Sequence, residues 1–143
     1  MLKGIPNTIS PDLMHALMRM GHGDKIVLAD GNFPAASHAQ QLIRADGLDV
    51  CTLLEAIMKF FPLNTFVDDT AVVMAVVDPT AENPPIWKDF ERILKSAEGD
   101  WVKLTPIERF AFYARARGAY CIVATSETAL YANLILKKGV VIH

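Results

Sequence analysis

The sequence predicts a single α/β domain over residues 1–143, with helices on both faces of a largely parallel sheet. Short, almost wholly apolar segments such as 71–77 (AVVMAVV) and 119–125 (AYCIVAT) are typical of buried strands. These segments alternate with amphipathic segments that have helical spacing and capping residues. A chain of 143 residues without linker or repeat accommodates one such domain.

The first predicted helix begins at Ser10, a good N-cap residue, has Pro11 at its first position and ends at Gly21. Its apolar face is formed by Leu13, Leu17 and Met20. Residues 25–30 (KIVLAD) follow as a predicted central strand, bounded by the turn cluster GNFP. Residues 41–45 (QLIRA) form a weaker strand candidate.

In the middle of the chain, Asp49 is predicted to cap a second helix that runs through Phe61. Its apolar positions are Leu53, Leu54, Ile57, Met58 and Phe61. Residues 71–77 are the next strand, and residues 86–97 are a third helix. The inward positions of this third helix are Ile86, Phe90, Ile93 and Leu94.

The last third opens with a predicted capping box. Thr105 caps, Pro106 takes the first helical position and Glu108 follows three residues after the cap. This helix is expected to end at Gly118. After the strand at 119–125, residues 134–143 (LILKKGVVIH) supply one or two further strands.

Composition and charge exclude several classes of protein. The net charge is −2 and no Lys/Arg cluster exceeds a pair, so a nucleic-acid interface is not expected. The longest apolar run is too short to cross a membrane, and the first residues lack the apolar core of a secretory signal. Cys51 and Cys121 lie in apolar surroundings, which indicates two buried free thiols in a reducing cytoplasm.

The apolar content is high for a monomer. Hydrophobic residues make up 52% of the chain and its mean hydropathy is +0.25. Either the core is unusually rich or apolar surface is buried against other copies of the chain. We favour the second interpretation.

The familiar cofactor motifs are not formed. The segment GHGDKI begins like a dinucleotide fingerprint, but Ile26 stands where the third glycine belongs, and the segment precedes a strand instead of following one. The chain also has no phosphate loop of the Walker type and no G-x-S-x-G elbow. Nucleotide binding is therefore not predicted.

His22 and Asp30 flank the first predicted strand. Asp30 follows its carboxyl end, the edge at which open α/β sheets bind ligands. The two residues are then expected at opposite ends of a strand roughly 17 Å long. A shared site requires that residues 21–24 fold back, that the strand runs antiparallel to its neighbours, or that the site is shared between subunits.

Two further groups of polar residues are candidates for a ligand site. Arg109 and Tyr113 are one helical turn apart, and Phe110 and Phe112, which lie between them, are expected in the core. A cation in the first helical turn is unfavourable, and a position that breaks a local rule is often functional. The segment YANLIL adds Tyr131 and Asn133, whose polar groups suit the recognition of hydroxyl groups.

Two chemical interpretations remain for these residues. His22, Asp24, Asp30 and His38 have the donor types for a divalent cation, although no pair has the spacing of two ligands on one helical face. The whole set of His, Asp, Arg, Tyr and Asn instead fits a site that binds a neutral polyhydroxylated molecule and moves protons on it.

Four segments, MGHGDKIVLADGNFP, IRADGL, RFAFYARA and YANLILKKGV, resemble the fucose mutarotase and ribose pyranase family, and its fucose branch more closely. The similarity runs from Ile9 to Val140, with no familiar motif over residues 78–103. It implies a three-layer α/β/α sandwich that assembles into a homo-oligomeric ring, commonly a decamer, with sites near the interfaces. It also implies a cytoplasmic isomerase without a cofactor.

The resemblance assigns roles to individual residues. His22 matches the proton-donating histidine, and Asp30 a sugar-binding aspartate. Arg109 matches a substrate-binding arginine of the fucose branch, and the family's Tyr-small-Asn sugar contact falls on Tyr131, Ala132 and Asn133.

One residue departs from the pattern of the fucose branch. Relatives in that branch tend to have a histidine before the Phe-Pro pair, where this chain has Asn32. Apart from this position, the resemblance implies a monosaccharide substrate, L-fucose first, whose anomers are interconverted by ring opening. A non-catalytic sugar-binding module and a metal-dependent hydrolase or lyase are the alternatives.

Overall fold

The structure, a computed structural model, describes all residues from Met1 to His143. It contains five helices and six strands. The helices are α1 (Pro11–Arg19), α2 (Ala35–His38), α3 (Val50–Ile57), α4 (Ile86–Glu98) and α5 (Arg109–Arg117). The strands are β1 (Lys25–Ala29), β2 (Leu42–Ala45), β3 (Ala71–Met74), β4 (Thr105–Ile107), β5 (Cys121–Thr125) and β6 (Leu134–Lys137). No helix has the length and apolar character needed to cross a membrane.

The six strands form one mixed sheet in the order β2-β5-β1-β6-β3-β4. Strand β6 pairs antiparallel with β1 and β3, and the other three pairings are parallel. The carboxyl ends of the five remaining strands therefore meet at one edge of the sheet. Strand β6 begins at that edge, where Leu134 pairs with Leu28, and ends at the amino edge, where Lys137 pairs with Lys25.

Helices cover both faces of the sheet, so the predicted three-layer α/β/α architecture is confirmed. A core cluster of 28 residues lies between the sheet and α1, α3 and α4. A smaller cluster of 12 residues lies on the opposite face, under α2 and α5. Strand β1 contributes to both, because Ile26 and Leu28 face the larger cluster while Val27 and Ala29 face the smaller one.

The predicted capping box at Thr105 is wrong. Thr105 and Pro106 belong to β4, whose Thr105 pairs with Val72 of β3, and α5 begins only at Arg109. The cap is Glu108, whose side chain accepts a hydrogen bond of 3.0 Å from the backbone N–H of Ala111. Proline is tolerated in β4 because this strand is at the edge of the sheet. Pairing with β3 thus overrides the local helix signal.

Several predicted boundaries are also corrected. The helix after Asp49 ends at Ile57 and not at Phe61, and β3 ends at Met74 and not at Val77. The four-residue helix α2 was not predicted, and the final segment forms one strand. Phe110 is 66% exposed although a core position was expected, whereas Phe112 is fully buried as predicted.

Both cysteines are unpaired, and Cys121 is buried as predicted, whereas Cys51 is only partly buried. Burial raises the pKa of the Cys121 thiol to about 12, and burial together with nearby carboxylates such as Asp89 raises that of Cys51 to about 11. The thiols therefore stay protonated and unreactive at neutral pH.

Candidate functional site

Asp30 and Asn133 form a buried polar pair at the carboxyl edge of the sheet, one after the end of β1 and the other before the start of β6. The backbone N–H of Asp30 donates to Asn133 Oδ1 at 2.8 Å, and Asn133 Nδ2 donates to Asp30 Oδ2 at 3.0 Å. Asp30 Oδ1 also accepts from the N–H of Asn32 at 2.9 Å. Asp30 and Asn133 are only 6% and 5% exposed. The carboxylate is thereby held in one orientation and keeps lone pairs for a further donor.

Tyr131 has a strained backbone next to this pair. Its φ of 55° makes it the only non-glycine residue of the chain with positive φ. Two contacts hold it: Trp87 Nε1 donates to the Tyr131 carbonyl at 3.0 Å, and the N–H of Val77 donates to the Tyr131 hydroxyl at 3.4 Å. Ala132 beside it is fully buried. Strain of this kind persists where the surroundings enforce it and is concentrated at functional sites.

Arg109 lies at the same edge of the sheet, two positions after the end of β4, as the first residue of α5. Its guanidinium is exposed, lies 4.8 Å from the centre of the Phe110 ring and makes no hydrogen bond or salt bridge within the chain. Its donors are therefore free for a ligand. Tyr113, the other candidate on this helix, packs instead against Phe33 and His38, with ring centres 5.6 and 5.3 Å apart.

His22 lies at the opposite, amino edge of the sheet. Its loop is fixed by two backbone bonds of 2.8 Å, from Gly23 N–H to the Lys138 carbonyl and from Lys138 N–H to the Asp24 carbonyl. The left-handed residue of this loop is Gly23, with φ of 88°, and not Gly21, which was predicted to terminate α1. The loop does not fold back, so one chain does not bring His22 to Asp30.

The four residues of the metal alternative do not converge. His22 and Asp24 lie at the amino edge, and Asp30 lies at the carboxyl edge. His38 Nδ1 is 3.0 Å from the Pro34 carbonyl and its Nε2 is 3.0 Å from Arg117 Nη2, so both ring nitrogens have protein partners. No group of three His, Cys, Asp or Glu residues has the geometry to hold a metal ion.

Two residues that organise the carboxyl edge were not singled out from the sequence. The Glu127 carbonyl accepts from the N–H of Gly31 at 2.9 Å, and its carboxylate accepts from the N–H of Val50 and of Thr128. Trp87 holds the Tyr131 carbonyl and is itself 5% exposed. No local signal marks either residue, because the contacts that tie them to this edge, from Gly31 and Val50 to Glu127 and from Trp87 to Tyr131, join residues distant in the sequence.

No single concavity of one chain collects the candidate residues. A concavity of about 300 Å³ contains Asp30, Phe33 and Thr125, and a second of about 600 Å³ contains Tyr131, Leu130 and Asp89. Asp30, Asn133, Tyr131 and Arg109 instead follow one another along the open carboxyl edge.

An open α/β sheet with buried and strained polar residues at this edge has the architecture of the α/β proteins that bind small molecules at the carboxyl ends of their strands. Comparison with known proteins gives the class a narrower definition. The model of the RbsD / FucU transport protein family matches residues 3–141, and the chain belongs to this family.

Individual relatives are similar over nearly their whole length. The fucose mutarotase of Homo sapiens is 54% identical, over 97% of this chain and 94% of that protein. The crystal structure of the fucose mutarotase of Streptococcus pneumoniae in complex with L-fucose has a TM-score of 0.94 at 49% identity, over 99% and 100% of the two chains. Bacillus subtilis RbsD, solved with D-ribose, has a TM-score of 0.73 at 18% identity, over 99% and 100% of the chains, and shares the fold.

Proposed function

We propose that this protein is an L-fucose mutarotase, an isomerase that interconverts the α and β anomers of the sugar. The observation that carries the proposal is the similarity, over almost the full chain, to the Streptococcus pneumoniae fucose mutarotase solved with L-fucose. The polar residues at the carboxyl edge support it, because hydrogen-bonding side chains in fixed orientations suit a ligand rich in hydroxyl groups.

The reaction opens the pyranose ring and closes it on the other face of the aldehyde. Opening requires a proton on the ring oxygen while the anomeric hydroxyl loses one. In the proposed mechanism His22 donates and recovers the first proton, since an imidazole can do both near neutral pH. Asp30, Tyr131 or a bound water takes the second. The overall change consumes no electrons and needs only proton transfer, so the proposed enzyme uses no cofactor.

The remaining candidates bind the sugar. The free lone pairs of Asp30 accept from a sugar hydroxyl, and the planar fork of Arg109 can donate to two neighbouring oxygens. Tyr131, Ala132 and Asn133 form the third contact, in which Asn133 also holds Asp30 in place. These contacts retain the open-chain aldehyde until the ring closes again.

The proposed site requires a second copy of the chain. His22 and Asp30 flank β1 at opposite edges of the sheet, a strand length of roughly 17 Å apart. A sugar that touches both therefore binds where the amino edge of one subunit meets the carboxyl edge of another. Exposed apolar side chains near both edges, such as Phe66, Leu130 and Phe110, support a homo-oligomer, and we propose a ring, with a decamer as the expected size. The proposed compartment is the cytoplasm.

The experiment measures anomer exchange directly, by magnetisation transfer between the two anomeric proton signals of L-fucose, D-ribose and D-galactose. His22→Ala should slow exchange of L-fucose by at least about 100-fold while the protein stays folded. The matched control is His15→Ala, because His15 is an exposed histidine on α1 without a hydrogen bond. It should exchange the anomers at the wild-type rate.

Three outcomes contradict parts of this proposal. Near-normal exchange by His22→Ala removes His22 from the mechanism. Binding of L-fucose by the wild-type protein without faster exchange identifies a non-catalytic sugar-binding module. Faster exchange of ribose or galactose than of fucose moves the substrate away from L-fucose, as the unusual Asn32 would then explain.

A further inference from the structure

Phe66 is an exposed aromatic residue next to His22. Its side chain is 73% exposed, and its ring centre lies 5.6 Å from that of the His22 imidazole, with the ring planes tilted by 56°. The proposed function uses Phe66 only as an exposed apolar side chain in support of a homo-oligomer and gives it no contact with the sugar. What distinguishes this phenyl ring from the other exposed apolar side chains of the protein is its contact with the His22 imidazole, the proposed proton donor.

The backbone around Phe66 is firmly held. The N–H of Phe66 donates to Asn64 Oδ1 at 2.9 Å, and Asn64, only 4% exposed, donates its own N–H to the Lys137 carbonyl at 3.0 Å. Three positions after Phe66, the Asp69 carboxylate pairs with Arg115 at 2.9 Å. The ring is therefore presented by an anchored segment on the same edge of the sheet as His22.

The covalent structure of fucopyranose indicates which group of the sugar the Phe66 ring can contact. The ring oxygen that His22 protonates is bonded to C5, and C5 bears the methyl group that distinguishes a 6-deoxy sugar. A group beside the proton donor can therefore reach that methyl group, which is only two bonds from the protonated oxygen. A phenyl face offers the methyl group an apolar contact but offers a hydroxymethyl group at the same carbon no hydrogen bond.

We propose that Phe66 is a specificity-determining residue that covers the C5 methyl group of the sugar protonated by His22. This inference rests on the proposed function, and it names the structural feature of the substrate that the amino edge recognises. It also gives that edge two roles in the shared site, since it supplies both the proton donor and the apolar wall. The residues at the carboxyl edge then bind the hydroxyl groups of the sugar.

The experiment compares L-fucose with L-galactose, which has the same configuration and a hydroxymethyl group in place of the methyl group. Phe66→Ala should lower kcat/KM for L-fucose by roughly tenfold, mainly through KM, and change that for L-galactose by less than about twofold. Phe66→Leu, which keeps an apolar side chain, should retain part of the preference. Trp101→Ala is the matched control, because Trp101 is also an exposed aromatic residue, 45% exposed, in the loop after α4.

A second measurement observes the bound sugar directly, by saturation-transfer NMR. Irradiation of the aromatic protein protons should transfer saturation most strongly to the methyl protons of bound L-fucose, and Phe66→Ala should reduce that transfer. The mass of each variant is measured by light scattering, so that a lost assembly is recognised. If the Phe66→Ala variant no longer assembles, the test rests on the saturation pattern of the wild-type protein.

Equal losses for both sugars overturn the inference, since they assign Phe66 to assembly or folding. An unchanged preference, or a methyl group that receives no saturation, also overturns it. Failure of the proposed function has a different signature, because the wild-type protein then does not accelerate anomer exchange of L-fucose. Saturation transfer to the methyl group still reports binding in that case.

Discussion

At the scale of single residues, Asp30 and Asn133 depend on each other although they are 103 positions apart. The amide fixes the carboxylate through two hydrogen bonds, and the N–H of Asn32 fixes its other oxygen. A buried carboxylate without such partners would be costly. These hydrogen bonds therefore stabilise the fold. In the proposed function they also hold the Asp30 carboxylate in the orientation in which it binds the sugar.

Arg109 offers a test of recognition at this scale. As the first residue of α5 it opposes the helix dipole, and it is tolerated beside the cap Glu108, whose pKa is held below its usual value by the N–H groups of Phe110 and Ala111. Lysine keeps the charge but loses the planar fork. Arg109→Lys should therefore lower kcat/KM for L-fucose by roughly 5- to 30-fold, which corresponds to a loss of about 1–2 kcal/mol in transition-state stabilisation. The free energy of unfolding should not change.

The control for this substitution is Arg92→Lys, because Arg92 is an exposed arginine on α4 that pairs at 3.6 Å with Asp89. It should leave kcat/KM and the free energy of unfolding unchanged. Anomer exchange of L-fucose and D-ribose is measured for both variants. If Arg109→Lys handles both sugars as the wild-type protein does, Arg109 is a surface residue and the assignment to fucose loses support.

At the scale of elements, the two glycines after α5 and β6 have different roles. Gly118 ends α5 with φ of −84° and ψ of −3°, an ordinary helical conformation, and a Cβ there would make only ordinary contacts, at 3.6 Å from the Arg115 carbonyl oxygen and 3.9 Å from that of Ala114. Gly139 passes directly against the backbone of Leu63, where a Cβ would lie 2.7 Å from the carbonyl carbon. Only the second position requires glycine, because of close approach and not because of helix termination.

The pair predicts opposite effects on stability. Gly118→Ala should leave the free energy of unfolding unchanged or raise it by about 0.4–1 kcal/mol, because alanine restricts the unfolded chain. Gly139→Ala should lower it by about 1–3 kcal/mol, since the backbone must shift. It should also slow anomer exchange, because the adjacent Lys138 holds the His22 loop. Urea unfolding of both variants checks this, and equal effects would contradict the assignment.

At the scale of the whole molecule, the sheet separates the candidate chemistry into two edges. The antiparallel strand β6 connects them, since it begins beside Asn133 and ends beside Lys138, next to the His22 loop. Each subunit would therefore contribute one half to each of two sites. In the proposed arrangement activity depends on assembly, and apolar surface buried between subunits would be consistent with an apolar content of 52% in a chain of this length.

Mixed assemblies test this directly. His22→Ala and Asp30→Asn should each be nearly inactive alone. After joint unfolding and refolding at equal amounts, about a quarter of the sites in random assemblies should combine an intact His22 with an intact Asp30 and regain activity. Light scattering of the wild-type protein should give a mass several times 15.8 kDa. An active monomer, or a mixture without regained activity, would contradict the shared site.

The sequence by itself determined the class of architecture and most of the elements. Apolar strands such as β5 and helices with local caps such as Ser10 and Asp49 have their signals within a few neighbouring residues, so the pattern is sufficient. It also singled out Asp30 and Asn133 as polar residues at strand ends, and the resemblance to the family assigned them sugar-binding roles together with His22 and Arg109.

The tertiary structure decided what depends on partners distant in the chain. Thr105 and Pro106 form a strand because β3 offers a free edge, the left-handed Tyr131 is held by Trp87, and Asp30 meets Asn133 because β6 runs antiparallel to β1. None of these contacts has a local signal. The length of a strand predicts that His22 and Asp30 are far apart. Only the structure shows that the loop at Gly23 is held at the amino edge and does not bring His22 to Asp30 within one chain. Local free energies select the elements, whereas long-range hydrogen bonds and packing select their neighbours and directions.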